Sequence, residues 1–286
     1  MEYKYDELSY AEKIYKEGFQ TDFIKYELIL LVKYLKQEKN FKVKETEDYL
    51  YNFCEKYIPN FNKVLYFPVI DKALKEGRKR KNKLIIIKKI DILESELKYI
   101  DELEIEKNNS LNKEDREKID YDYKKILVAF LLNKKINNKI NSIRNSNPDE
   151  KISIYFEGSA RAYNKIIRLS NLEEKHDINL IINKLIKADI IKSLNKGNIL
   201  LSYIEKIPIG NSNIFYELPP NGFNNLGYVF DYYKGKEDIK KCEKCEVLIK
   251  TKNNKRKYCK KCAREIKQEQ DRIADKKYKN KIKARK

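Results

Sequence analysis

Two Cys-x2-Cys pairs near the end of the chain restrict its possible folds more than any other feature. Cys242 and Cys245 form the first pair, Cys259 and Cys262 form the second, and thirteen residues separate the pairs. Two intervening residues let both sulfurs of a pair face one ion, and thirteen residues suffice for a short hairpin that returns the chain to the first pair. Four thiolates leave no open position on a tetrahedral ion, so the spacing predicts a structural metal centre.

Zinc is the metal that this ligand set favours, and we expect one structural Zn2+ per chain. A rubredoxin-like iron takes the same four ligands, so spacing alone does not separate zinc from iron, and an iron–sulfur cluster is a further alternative. Paired cysteines fit a metal in a reducing compartment better than disulfides. Because the acidic start of the chain has no signal-peptide pattern, we expect a cytoplasmic protein without a membrane span. The remaining cysteine, Cys54, is expected to be a buried core residue.

The chain carries a formal net charge of +19, and most of this excess lies in its tail. Residues 241–286 contain 19 of the 63 basic residues but 6 of the 44 acidic ones. Such a cluster favours a polyanionic partner, because lysines and arginines that neutralise phosphates release condensed counterions. The abundance of Lys, Asn, Ile and Tyr is also typical of AT-rich coding sequences, so the distribution of charge is more informative than its total.

Residues 263–286 contain no Gly or Pro and are predicted to form a helix that begins at the second cysteine pair. A cysteine knuckle, a hairpin and a helix in this order are typical of a treble-clef finger. The lysine and arginine side chains at the end of the helix would repel one another unless phosphates neutralised them. The phosphate contacts predicted in the tail are Lys255, Arg256, Arg264, Arg272, Lys276, Lys277, Lys279, Lys283 and Arg285.

The fold is predicted to be mainly α, because Gly and Pro are scarce and long runs follow a helical period. Residues 1–107 are expected to form a helical N-terminal domain, with a strand at 84–87. Residues 120–207 are expected to form a winged-helix-like middle domain. Residues 208–240, with several Pro and Gly among aromatics, are predicted to be an irregular, partly extended connector to the zinc finger and basic helix at 241–286.

The middle domain is compared with a winged helix because its second half runs helix, turn, helix, hairpin. Asp177 is a plausible N-cap for the second of these helices, predicted to end at Ile191, and the turn at 195–198 predicts the hairpin. Asparagine pairs bidentately with adenine in the major groove. The contacts to duplex DNA predicted here are Asn179, Asn183 and Lys187 on the helix and Lys196 on the hairpin. Any surface helix has a polar side, however, and winged helices also serve in dimerisation and protein docking.

The tail resembles uncharacterised proteins of phages and integrative elements in low-GC Gram-positive bacteria. The resemblance rests on residues 257–263, Lys-Tyr-Cys-Lys-Lys-Cys-Ala, followed by a helix rich in Glu, Gln, Lys and Arg. It covers roughly the last 45 residues and extends more weakly to 126–191. Glu246 departs from the pattern, because Gly is frequent at this place and its absence affects the turn of the first knuckle. The resemblance implies a mobile-element protein and no particular reaction.

These observations favour a DNA-binding protein, and two other classes stay open. An RNA-binding module would use some of the 22 tyrosines for stacking on unpaired bases. An interaction protein would use zinc as a structural staple and would bind a protein partner or a second copy of the chain. We do not expect an enzyme, since there is one histidine, no Gly-rich phosphate loop, no Gly-x-Ser-x-Gly and no His-Glu metal motif.

Overall fold

The computed structural model describes residues 5–106, 116–145, 153–172, 177–208, 213–251 and 256–283. These residues are mainly helical, as predicted from the scarcity of Gly and Pro. The chain divides into two compact units, one formed by residues 1–88 and 136–152, the other by residues 89–135 and 153–286. This division is coarser than the four domains expected from the sequence, whose boundaries stay predictions.

Four helices build most of the first unit. They are α1 (Glu7–Glu17), α2 (Ile24–Gln37), α3 (Val43–Tyr57) and α4 (Lys63–Gly77). Helix α2 is buried around most of its circumference, and Cys54 lies in the same core, where burial raises the pKa of its thiol to about 12. The prediction of a buried core cysteine is therefore confirmed.

Two buried carboxylates of the first unit are fully paired. Glu7 accepts a hydrogen bond from Lys33 Nζ at 2.7 Å and another from the Ile85 amide at 3.0 Å. Glu27 accepts from Thr21 Oγ1 at 2.7 Å and also from the Tyr10 hydroxyl. Burying a charge is costly unless it is paired and hydrogen-bonded, so both networks restrict how the helices can pack.

The strand predicted at 84–87 is present only as an extended segment. Ile86 makes an isolated bridge to Asp6, and the Ile87 amide donates to the carbonyl of Tyr5 at 2.8 Å. The true strand is β1 (Ile90–Leu93), which belongs to the second unit and pairs antiparallel with β7 (Ile214–Leu218). The prediction was wrong because this pairing joins segments more than 120 residues apart, which local periodicity cannot show.

The second unit continues with α5 (Glu94–Asp101) and a hairpin of β2 (Glu104–Glu106) and β3 (Arg116–Lys118). Helix α6 then runs over Tyr121–Asn145, and its residues 121–135 belong to the second unit while 136–145 belong to the first. Residues 126–131 within it are almost completely buried. The helix is long because no Gly or Pro interrupts residues 121–145.

A small three-stranded sheet and two helices follow. The elements are β4 (Tyr155–Phe156), α7 (Ala160–Ser170), α8 (Ile178–Lys187), β5 (Lys192–Ser193) and β6 (Ile199–Leu200). The β5–β6 hairpin is confirmed, and β6 lies between β4 and β5 in the sheet. Helix α8 ends before the predicted Ile191, because the chain turns through Asp189, whose φ is +51°, and then buries Ile190 and Ile191.

The connector predicted at 208–240 is a folded part of the second unit. It contains β7 and helix α9 (Gly227–Tyr233), and Phe223, Leu226 and Phe230 are buried. Gly227 allows α9 to approach α7 closely, since a Cβ at this position would lie 1.7 Å from the Ser170 carbonyl oxygen. The glycines that suggested an irregular segment thus include one required by tight packing. The chain ends with a hairpin of β8 (Ile239–Lys241) and β9 (Leu248–Lys250) and with α10 (Lys260–Lys283).

A buried ion pair joins α6 to α9. Lys125 Nζ lies 2.8 Å from Asp231 Oδ2 and donates to the carbonyl of Asn171 at 3.0 Å. The Tyr121 hydroxyl donates to the other Asp231 oxygen at 2.8 Å. The side chains of Lys125 and Asp231 are 2% and 4% exposed. Each therefore needs the other to compensate for its loss of water.

We expect Asp231→Ala to lower the free energy of unfolding by about 3–5 kcal/mol, because it leaves the Lys125 ammonium buried without a counter-charge. Urea denaturation of the purified variant measures this change. The control is Glu237→Ala, which removes an exposed carboxylate nearby and should alter stability by less than about 0.5 kcal/mol. Equal stability of the two variants would contradict the importance assigned to the pair.

Candidate metal centre and nucleic-acid interface

The sulfurs of Cys242, Cys245, Cys259 and Cys262 all lie within 4.8 Å of one another. Four ligands at about 2.3 Å from a central ion stand about 3.8 Å apart in a tetrahedron. The separation of 3.7 Å between the sulfurs of Cys245 and Cys259 matches this value. Cys242, Cys259 and Cys262 are buried and Cys245 is half-buried. The residues predicted as ligands are therefore brought together and positioned to bind a metal ion.

The first cysteine pair occupies the turn of the β8–β9 hairpin. The Cys242 amide donates to the Val247 carbonyl at 2.9 Å, and the Glu246 amide donates to the Cys242 carbonyl at 2.9 Å. The hairpin therefore flanks the first pair, whereas the spacing predicted it within the thirteen residues between the pairs. The reason is that the knuckle is itself a tight turn, which lets the strand before it pair with the strand after it.

Glu246 stands where the resembling proteins favour Gly, and its backbone explains that preference. Its φ is +58°, in the left-handed region that glycine adopts without steric cost. The Tyr216 hydroxyl donates to the Glu246 carbonyl at 2.8 Å and so supports the turn from strand β7. The knuckle keeps its geometry with Glu at this position.

The second cysteine pair begins helix α10. Cys259 precedes the helix, and Cys262 lies in its first turn. The Cys259 amide lies 3.3 Å from the Cys242 sulfur, and the Cys262 amide lies 3.4 Å from the Cys259 sulfur. Amide donors and the positive end of a helix both stabilise thiolates. The backbone around the site is thus arranged for ionised sulfur.

Three of the thiols, those of Cys242, Cys245 and Cys262, differ in how readily they ionise. Burial disfavours the Cys242 thiolate, but hydrogen bonds from the amides of Cys259, Lys244 and Cys245 outweigh burial and lower the pKa of Cys242 to about 7. Burial raises the pKa of Cys245. At Cys262, burial and the neighbouring sulfurs raise the pKa well above its usual range. Four sulfurs this close can all ionise only with a compensating cation, so the donor set fits a thiophilic divalent metal.

The predicted basic contacts of the tail fall into three groups. Arg256 is exposed, but its guanidinium donates to the carbonyls of Tyr258 at 3.2 Å and Lys250 at 3.3 Å, so it also holds the spacer in place. The basic side chains exposed on α10 include Arg264, Arg272, Lys276 and Lys277, and Arg272 also lies 3.4 Å from Glu269. Lys279 and Lys283 are in α10, but their side chains lie outside the described residues, as do Lys255 and Arg285 entirely.

Helix α8 exposes the three residues predicted to face DNA. Asn179, Asn183 and Lys187 are all exposed on its outer side, and Asp177 caps its start by accepting from the Asn179 amide at 2.9 Å. Leu180, which is 62% exposed on the same helix, was not among the predicted contacts. The helical period could have identified it, because Leu180 lies three residues before Asn183 and so falls on the polar side of α8.

The tip of the β5–β6 hairpin carries Lys196, which is exposed and has a φ of +59°. The tip is held against the segment before α7. The Gly158 amide donates to Asn198 Oδ1 at 2.9 Å, and the Tyr163 hydroxyl donates to the Gly197 carbonyl at 2.7 Å. Its position relative to α7 is therefore fixed by the protein. His176, the one histidine of the sequence, lies outside the described residues.

No protein-family model, no curated protein and no solved structure matches the chain. Among the described residues, no helix is both long and apolar enough to cross a membrane. Functional assignment therefore depends on the geometry of the cysteine cluster, of helix α8 and of the basic helix α10.

We expect the purified protein to contain about one equivalent of a transition metal, and Cys262→Ser to lose most of it, because three thiolates leave an open and weaker site. Elemental analysis by mass spectrometry measures both. Cys54→Ala is the matched control, since it removes a thiol from the core of the first unit and should keep the metal. Equal metal content in Cys262→Ser and wild type would show that the cluster is not the metal site.

Proposed function

We propose that this protein is a DNA-binding protein of a mobile element, in which α8 contacts bases in duplex DNA and a zinc-stabilised basic helix contacts phosphates. The observation that carries the proposal is the exposed side of α8, where Asn179, Asn183 and Lys187 lie together next to a hairpin with Lys196 at its tip. The resemblance of the tail to proteins of phages and integrative elements supports the biological setting.

The winged-helix interpretation is supported by the order of elements in the second unit. The chain runs α6, β4, α7, α8, β5, β6, and β6 lies between the other two strands, as in winged helices. The apolar side of α8 is buried through Ile181, Ile182 and Leu185, so its polar side faces away from the core. In helix-turn-helix proteins the second helix lies in the major groove with its N-terminal residues at the base edges. Helix α8 is the second helix here.

The proposed metal is zinc in a closed structural site. Four sulfurs in a tetrahedron suit both Zn2+ and iron. Zinc undergoes no redox reaction, so a zinc site needs no access for solvent or substrate. A knuckle in a hairpin turn and a helix whose first turn supplies the last ligand support a treble-clef arrangement. Elemental analysis should find zinc, and a colourless protein would agree, because iron–thiolate sites absorb visible light.

Helix α10 is proposed to bind phosphates. Residues 267–278 are all exposed, so this part of the helix has no apolar core to cover. Its charge is thus available for a polyanion, whose phosphates would also reduce the repulsion between neighbouring lysines. Arg264, Lys276 and Lys277 are the exposed residues with which we expect the main contacts.

A second candidate function is self-association through the first unit. An open groove of about 590 Å3 is lined by Phe23, Tyr26, Ile29, Tyr66 and Val69, among others. Val64, Leu65 and Phe67 are more than half exposed on the same stretch of α4. Clustered exposed apolar residues mark interaction surfaces more often than isolated ones do.

We expect the salt dependence of duplex binding to come mainly from α10. Lys276→Gln combined with Lys277→Gln should reduce the slope of log affinity against log salt by about 0.9 for each phosphate that the variant no longer neutralises. Fluorescence anisotropy over a salt series measures the slope. The control combines Lys16→Gln and Lys44→Gln, which removes the same charge from exposed positions of the first unit. Equal slopes in both double variants would mean that α10 is a solvated arm.

Sequence preference should depend on α8 and general affinity on the hairpin tip. Asn183→Ala should relax the preferred motif, because each base-contacting side chain contributes about 1–3 kcal/mol of discrimination. Lys196→Ala should weaken binding to all duplexes alike. Selection from random duplexes tests wild type and both variants. If the wild type selects no motif, α8 does not contact bases, and the zinc tail would be the remaining candidate for nucleic-acid contact.

If the first unit self-associates through this groove, Phe23→Glu should shift the protein toward monomer, because Phe23 lines the groove and a buried carboxylate without a partner opposes association. Sedimentation velocity at increasing protein concentration measures this. Val43→Glu is the control, since Val43 is a similarly exposed apolar residue that does not line the groove. A wild type that stays monomeric at all concentrations would exclude this second function.

A further inference from the structure

Leu180 is the one large apolar side chain exposed on helix α8. The helix has six Ile or Leu residues besides Asn and Lys, and Ile181, Ile182 and Leu185 are buried while Ile178 and Ile186 are half-buried. Leu180 differs from all of them, since it is 62% exposed. A single exposed leucine is ordinary on a protein surface, so its meaning depends on its neighbours.

The neighbours of Leu180 are the two asparagines of the same helix. Leu180 and Asn183 are three residues apart, so their side chains lie on the same side of α8, with Cβ atoms roughly 5–6 Å apart. Asn179 is adjacent in the first turn. Successive base pairs in B-DNA are about 3.4 Å apart along each strand. Side chains at this separation reach the same base pair or the next one.

Residues 178–183, at the start of α8, carry partners for adenine and thymine, whereas the exposed Lys184 and Lys187 follow towards its end. Asparagine pairs with the N6 and N7 atoms of adenine, and an apolar side chain contacts the C5 methyl group of thymine. Guanine is recognised mainly by Arg or Lys and cytosine by Asp or Glu. Residues 178–183 contain none of these four types, and the nearby Asp177 is engaged in capping the helix.

We propose that Leu180 contacts a thymine methyl group in the major groove while Asn183 pairs with an adenine, so that α8 selects A·T base pairs. This inference rests on the proposed function and names its substrate class. It also favours DNA over RNA, because RNA carries uracil without the methyl group and its deep, narrow major groove does not admit side chains.

Replacing thymine by uracil in the target duplex tests the proposal directly. The exchange removes only the C5 methyl group and keeps base pairing and phosphates. With the full-length protein and its selected duplex, we expect uracil at the contacted position to weaken binding about fourfold, the effect of removing one methyl group from an apolar contact. Uracil at positions outside the α8 contacts should leave affinity unchanged.

Variants of α8 separate the contribution of Leu180 from that of its neighbours. Leu180→Ala should bind the thymine and uracil duplexes with equal affinity. Leu180→Met should keep part of the difference in affinity between the two duplexes, because it keeps an apolar side chain. Asn183→Ala should lose preference at the adenine and keep the thymine-to-uracil ratio. Because Leu180 is exposed, Leu180→Ala is expected to fold normally, and circular dichroism checks this.

The possible results distinguish this inference from the function on which it rests. A wild type that selects no duplex motif overturns both. A selected motif with equal binding of thymine and uracil duplexes at every position overturns the role of Leu180 but leaves duplex recognition intact. A thymine-to-uracil ratio that Leu180→Ala does not change would also overturn it, since another residue would then contact the methyl group.

Discussion

The buried ion pair between Lys125 and Asp231 is the interaction on which the second unit depends most. Removing two charges from water is compensated only when they are close and their remaining donors and acceptors are satisfied. Here the Lys125 ammonium also donates to the carbonyl of Asn171, and Tyr121 donates to Asp231. Asn171 ends helix α7 with a left-handed backbone, φ +52°. Its side-chain Nδ2 donates a hydrogen bond to Asn225 Oδ1 at 3.1 Å.

This network joins the two candidate sites to one scaffold. Helix α7 leads into α8, and helix α9 leads into the β8–β9 hairpin that presents Cys242 and Cys245. Close approach of Gly227 to Ser170 brings α9 against the end of α7. A substitution in the network is therefore expected to affect helix α8 and the cysteine cluster together, although it touches neither.

The sequence predicted local features well and distant ones poorly. The cysteine cluster, the capped start of α8 and the hairpin at 195–198 each depend on a few neighbouring residues, and all three are present. The pairing of β1 with β7 and the folded state of 208–240 depend on contacts between distant segments, and both were missed. The exposure of Leu180 belongs to the first kind, because the helical period alone places it on the side of Asn183, opposite the buried Ile181 and Leu185.

A metal ion bound by the four cysteines would take the place of a hydrophobic core in the tail. The apolar cluster around the cysteines includes only Val247, Ile249 and the half-buried Tyr258 besides the sulfurs, among the residues that the structure describes. Binding of an ion by four residues can supply the missing folding free energy. It would also fix the first turn of α10 through Cys259 and Cys262. Because the first turn is the costly step in helix formation, the exposed remainder of α10 can then extend from it.

In the proposed function, affinity and specificity come from chemically different surfaces. The lysines and arginines of α10 act through counterion release, which weakens steeply as salt rises. Residues 178–183 of α8 have no charged side chain, so contacts that Asn179, Leu180 and Asn183 make with bases would release no counterions. Added salt should therefore weaken non-specific binding more than it weakens recognition of the bases. This separation lets the tail bind any duplex weakly, while α8 determines the sequence at which the protein binds.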